Sequence, residues 1–383
     1  MAQALLTEND FYSMPAPSTP ARPSVRPHRP ILRSPRQRVR LGFVPLLDSA
    51  PFTVAQELGI FVRHGLEVTL SRELGWASIR DRLVHGGLDA AQAPAPFVYR
   101  LRAGVDGPPC EVFSSYILNS GGSAITLSTG LRRQGVRTAA DFKRHLRSKH
   151  PDRPVVALSS LHSCQMLLLR QWLDPGEIDA ASEIQTVVLP AAQMPAALQA
   201  GHIDGFCVSE PWNSMAVAAG SGWCPATSLH FPPLSPEKVL LTRTAFADRS
   251  PDEHAALLRA MDEACQWCED PQNRPALTDL LSGCPWFQEL RLSLRPALLG
   301  PFDCGDGSRL APRDLLRFHG DGLNFPGPEK AEWILSSMRQ ANLLPASHTR
   351  HEGAFRPDLF EEALGPALMP APTDLPSARI RHA

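Results

Sequence analysis

The sequence predicts an α/β chain folded as two lobes with a ligand cleft between them, and three observations carry that expectation. One pattern occurs twice: a helix at 78–85, a Gly86-Gly87-Leu88 turn and a small-residue strand at 89–93; then a short helix at 193–198, a turn at 201–204 and a strand opening at Gly205. The second copy closes on Gly205-Phe206-Cys207-Val208-Ser209-Glu210-Pro211-Trp212-Asn213, a strand ending in an exposed Ser-Glu-Pro-Trp loop placed to face a ligand. At 383 residues and 43% hydrophobic side chains, the chain exceeds one ordinary domain and can bury a core in two lobes. Clefts in open α/β sheets form outside the carboxyl ends of strands, so the layout points to binding rather than catalysis.

The elements follow in order. Residues 1–38 hold seven prolines among Arg, Ser and Ala, a composition that cannot offset the entropy of folding, so a disordered basic tail is expected. A strand at 41–45, a helix at 51–64 interrupted by a turn at Gly59, and a strand at 66–70 begin the first lobe. A strand near 111–118 leads to Gly121-Gly122, where the backbone can approach closely, and 124–127 resumes a strand. Thr138 reads as a helix cap. A strand at 155–158 runs into Ser159-Ser160-Leu161-His162-Ser163 and a helix reaching Leu173, so a serine-rich turn meets a helix N-terminus, where exposed N–H groups attract anions. Residues 184–189 read as a buried strand. From Val239 the chain returns to the first lobe, with helices at 251–268 and 328–342. The expected lobes are 39–130 plus 235–345 and 131–234, hinged near 130 and 235, with a peripheral tail at 346–383.

Composition narrows the function classes. A net charge of −1 argues against a broad nucleic-acid surface. The eight cysteines are scattered through helices and strands and read as reduced, buried thiols; Cys265-Gln266-Trp267-Cys268 is a CxxC inside a helical pattern, without a second pair at metal spacing. Neither a metal nor a cofactor is expected. No G-x-S-x-G elbow, P-loop, H-E-x-x-H or G-x-G-x-x-G is visible, which argues against an enzyme. The N-terminus shows no apolar core, cleavage site or lipobox, and no run of eighteen apolar residues exists, so a cytoplasmic location is expected, or a periplasmic one if the start is misassigned.

The runs Leu41-Gly42-Phe43-Val44-Pro45-Leu46-Leu47-Asp48-Ser49-Ala50-Pro51, Ala55-Gln56-Glu57-Leu58-Gly59-Ile60-Phe61, Gly75-Trp76-Ala77-Ser78-Ile79-Arg80-Asp81-Arg82-Leu83, Leu88-Asp89-Ala90-Ala91-Gln92, Gly205 to Asn213 and Pro236-Glu237-Lys238 resemble the nitrate/nitrite/bicarbonate solute-binding family of ABC importers. The resemblance runs in order from about 39 to about 345. It implies a two-lobed, periplasmic-binding-protein-like (type II) fold. It also implies ligand positions at Trp76, Ser123, His162, Ser209 and Lys238, with Asp48 and Glu210 behind them. Ser123 stands where the family usually has Gln, and Ser209 where it usually has Gly. An indole N–H with a flat face suits a planar anion, and Lys238 supplies positive charge. If a carboxylate such as Asp48 faces the ligand, bicarbonate gains over nitrate.

With no leader visible, the chain resembles the family's signal-less branch of cytoplasmic nitrate/nitrite sensors. That branch implies an RNA-binding antiterminator protein as partner and no direct contact with nucleic acid. The alternative role is the binding component of a nitrate, bicarbonate or alkanesulfonate importer. Two further classes stand beside these: an enzyme on the same two-lobed fold, and an interaction protein whose anion site has decayed at Ser123 and Ser209.

Overall fold

A computed structural model describes residues 38–148, 153–345 and 352–366. The expected tail at 1–38 falls outside the described residues, apart from Arg38, which pairs with Glu67.

Among the described residues ten principal strands organise the fold: β1 (Val39–Phe43), β2 (Val68–Arg72), β3 (Ala90–Pro94), β4 (Val112–Gly121), β5 (Ser123–Ser128), β6 (Val155–Leu158), β7 (Gln185–Val188), β8 (Gly205–Ser209), β9 (Gly222–Thr227) and β10 (Pro236–Arg243). They form two sheets. The first has the order β4-β10-β3-β1-β2, with a short strand Leu316–Arg317 at the β4 edge; the second has the order β7-β6-β8-β5-β9. In each, parallel neighbours (β2, β1, β3; β7, β6, β8) meet antiparallel ones (β10 and β4; β5 and β9). The same mixed arrangement in both lobes is the structural form of the duplicated pattern.

The chain passes between sheets at Gly121-Gly122 rather than near 130, because Ser123 already pairs with Ser209 of β8. Gly121 has φ of +76°, and a Cβ there would overlap the Leu315 carbonyl oxygen, so glycine is required at this crossing. It returns between β9 and β10. Residues 302–310, expected in the first lobe, lie on the second: Cys224 N donates to Cys304 O at 2.7 Å, and Phe302, Cys304 and Leu315 pack with Ala124 and Cys224.

The C-terminal segment corrects the expectation of a peripheral tail. Phe355 bridges to Ser114 of the first sheet, and Phe360, on the helix Pro357–Leu364, stacks on Tyr116 with ring centroids 5.9 Å apart. Residues 346–351 and 367–383 lie outside the described residues. The buried strand expected at 184–189 is β7, Gln185–Val188, an edge strand with Val188 56% exposed, because one side of β7 lacks a strand.

The helix Pro251–Glu269 backs the first sheet with His254, Leu257, Leu258, Met261, Ala264, Cys265 and Cys268, the i, i+3, i+4, i+7 stripe of an amphipathic helix. Cys265 and Cys268 share that stripe, so their spacing records helical periodicity in a packed face. All eight cysteines are buried free thiols. Among the described residues, no helix is long and apolar enough to cross a membrane.

Candidate functional site

A buried polar cluster gathers at the carboxyl end of β8, the amino ends of the antiparallel strands β5 and β10, and the middle of β3. β10 supplies Glu237 and Lys238, β8 supplies Ser209, β5 supplies Ser123, and β3 supplies Gln92. Strand alternation would place Glu237 and Lys238 on opposite faces of β10. The β10–β4 pairing is irregular between Pro236 and Val239, and such a bulge re-aims side chains, so both neighbours turn into the cluster.

Lys238 is fully buried, and its ammonium organises the cluster. Nζ lies 2.8 Å from Asp48 Oδ2, an ion pair without a well-angled hydrogen bond, and donates to Glu237 Oε1 at 2.9 Å and to Ser209 Oγ at 3.1 Å. It also sits 5.8 Å from the centroid of the Trp76 ring. Burial opposes the ammonium, but Asp48 and Glu237 outweigh it and hold the lysine pKa above its ordinary value. Asp48 Oδ1 takes the Gln92 amide.

Gln165, on the helix Cys164–Leu173, joins the lobes: its amide donates to Ser123 Oγ and Ser209 Oγ, each at 3.2 Å, and to Glu237 Oε1 at 3.0 Å. The Glu237 oxygen, an acceptor, orients the amide, and Gln165 Oε1 is left as a buried oxygen with no partner among the described residues. Burial drives the Glu237 pKa upward despite the adjacent ammonium.

Trp76 opens the helix Trp76–Val84 in the first lobe, and its Nε1 donates to Ser159 Oγ of the second at 3.0 Å. Leu47 N bonds Glu210 O across the same cleft at 3.2 Å. Ser123, Ser209, Lys238, Trp76 and Asp48 thus gather in one place. His162 does not touch them: it lies toward Arg100 and Asp106, with Nδ1 3.8 Å from Asp106 Oδ2, while burial and then the Arg100 charge push its pKa below the ordinary histidine value.

Glu210 turns away from the cluster as well, accepting from Ser214 N at 3.2 Å and from the Ser214 hydroxyl at the start of the helix Trp212–Ala218. Burial raises its pKa, with the Ser214 and Asn213 bonds opposing. The loop around it, expected to be exposed, is buried: Ser209, Glu210 and Trp212 are 1, 2 and 5% accessible, because the first lobe closes over it.

Gln165, Glu237, Gln92 and Ser159 were not among the sequence-derived site residues. Glu237 carried a signal in Pro236-Glu237-Lys238, masked by strand alternation. Gln165 lies on a helix whose apolar neighbours marked it as core.

Residues 33–282 match the NMT1-like family. The nitrate/nitrite binding protein NrtA of Synechococcus elongatus is 34% identical over 344 residues, which cover 85% of this chain and 77% of that protein. The nitrate import ATP-binding protein NrtC of Synechocystis sp. is 38% identical over 331 residues, 84% of this chain and 49% of that protein, so this chain spans about half the length of that relative. In three dimensions the chain is similar to the periplasmic nitrate-binding protein NrtA from Synechocystis PCC 6803, with a TM-score of 0.80 and 27% identity, covering 86% of this chain and 88% of that one. The chain belongs to the NMT1-like family and has the two-lobed, periplasmic-binding-protein-like fold of its nitrate-binding relatives.

Proposed function

We propose that this chain is a solute-binding protein that takes a small planar oxyanion, nitrate or nitrite, between its lobes. The observation that supports this most is the donor set converging on one buried point: the Lys238 ammonium, the Gln165 amide and the Ser123 and Ser209 hydroxyls, with the Trp76 face alongside. The ligand enters by parting the cross-lobe bonds Lys238–Ser209 and Trp76–Ser159, and closure re-forms donors around its oxygens. The two serine departures support an altered but equipped site, since the Ser209 hydroxyl accepts from Lys238 and the short Ser123 side chain is met by Gln165. His162 enters this reading as a group at the cleft edge.

Asp48 and Glu237 favour bicarbonate as the second reading. Both carboxylates lie against Lys238, and bicarbonate offers an O–H that a carboxylate can accept, whereas nitrate offers only acceptors. The downstream role follows the resemblance: a sensor whose closure is read by an RNA-binding antiterminator in the cytoplasm, or the receptor of an importer outside the membrane. Closure alters the surface shown to either partner by no more than the ligand's preference for the closed form. Catalysis gains no support from the Ser115–His254 pair, bonded at 3.1 Å, because both residues are sealed in the first-lobe core at 0 and 3% exposure.

Isothermal titration of the chain with nitrate, nitrite, bicarbonate and an alkanesulfonate tests the reading. Micromolar nitrate or nitrite binding supports it. Heat from bicarbonate alone transfers the assignment to the second reading, and heat from none of the four removes the anion receptor.

A further inference from the structure

We propose that Glu237 must carry a proton when the cleft holds an anion lacking one of its own, so that nitrate or nitrite binding takes up a proton and bicarbonate binding does not. This rests on the oxyanion reading of the site and names what selects among oxyanions.

The charge count at the cluster carries the inference. Lys238 is its one ammonium among the described residues, and two carboxylates, Asp48 and Glu237, already lie 2.8 and 2.9 Å from Nζ. With both ionised the cluster has a charge of −1, and nitrate would bring it to −2 with every member buried, which a low-dielectric interior opposes. The other titratable groups facing Glu237 do not relieve this: Cys164 on the helix behind it and Cys207 on β8 are buried thiols held neutral by burial, and Glu210 lies on the loop after β8. One added proton restores a single negative charge, that of the anion itself.

Geometry selects the carboxylate. Asp48 takes the Gln92 amide on Oδ1 and faces the Lys238 ammonium through Oδ2, an ion pair at 2.8 Å, so both of its oxygens are already engaged. Glu237 receives Lys238 and Gln165 on the same oxygen, Oε1, at 2.9 and 3.0 Å, so the proton goes to Oε2. Burial acts in the same direction, and the nearby Asp48 charge reinforces it. The step is an acid–base one: solvent supplies the proton on binding and recovers it on release. Bicarbonate brings the cluster to the same −2, but its own O–H lies between the two anions as a charge-assisted hydrogen bond to the Glu237 carboxylate, which offsets the added charge without a proton from solvent.

The test is calorimetric titration of the full chain with nitrate, and separately with bicarbonate, in pairs of buffers of different ionisation enthalpy across about pH 6 to 9, a range over which a linked proton shows as buffer-dependent heat. The expected result is an uptake approaching one proton per nitrate at the alkaline end, with nitrate affinity falling up to tenfold per pH unit there, and no uptake with bicarbonate. Glu237→Gln, neutral and of the same shape, should bind nitrate with an affinity that no longer varies with pH.

Nitrate binding without proton uptake anywhere in the range overturns the coupling while leaving the anion receptor standing. Uptake that persists in Glu237→Gln overturns the assignment to Glu237. Failure of nitrate, nitrite and bicarbonate to bind wild type and variant alike removes the underlying reading, and the proposal with it. If Glu237→Gln does not fold, the wild-type proton count decides.

Discussion

The indole N–H of Trp76 donates to the Ser159 hydroxyl at 3.0 Å, tying the first turn of a helix in one lobe to the turn before Cys164–Leu173 in the other. The ring that the proposed function sets beside the anion therefore also latches the lobes.

Trp76→Phe keeps the ring and removes the donor. With a net hydrogen-bond worth of about 1 kcal/mol, nitrate affinity should fall about fivefold by titration. Ser159→Ala should match it, and the double variant should cost no more than either single one. Additive losses would show that the two residues act separately.

Lys238→Met should destabilise the fold by about 3–5 kcal/mol in urea denaturation, because it leaves Asp48 and Glu237 buried without a cation. Adding Asp48→Asn should recover part of the loss. A cost below about 1 kcal/mol would contradict a buried ionised pair at this position.

Gly121 and Gly59 both have left-handed backbone, with φ of +76° and +67°, but only Gly121 has a backbone oxygen where a Cβ would go. Gly59→Ala should cost about 1 kcal/mol, the conformational term alone. Gly121→Ala should cost at least about 2 kcal/mol more, since the Leu315 carbonyl must shift. Equal thermal stabilities would mean that the inter-sheet crossing yields without strain.

His254 sets an acid limit. Burial, assisted by the Arg356 charge, lowers its pKa to about 4. The unfolded chain, titrating near the ordinary value of about 6.5, then binds a proton that the fold refuses. Stability is full above about pH 6.5 and falls as pH drops toward 4, by roughly 3 kcal/mol from this residue. The gap in urea stability between wild type and His254→Gln should narrow or reverse by that amount from pH 7 to 4. A constant gap would place a protonated histidine in the folded core.

The sequence by itself determined the order of strands and helices, because hydrophobic periodicity, caps and glycine turns are local signals. Thr138 and Asp141 illustrate this: their side chains bond each other's backbone N–H at the predicted helix start. It also carried the family resemblance, which pointed to Trp76, Ser123, Ser209 and Lys238, residues that the fold brings into one cluster.

Tertiary structure alone decided what surrounds them. The bulge in β10 put Glu237 beside Lys238, chain closure brought Asp48 onto the same ammonium, and Gln165 reached across from a helix that reads as apolar. The physical reason is that charge compensation acts through space, between residues distant in the chain, while periodicity reports only which face of its own element a residue occupies.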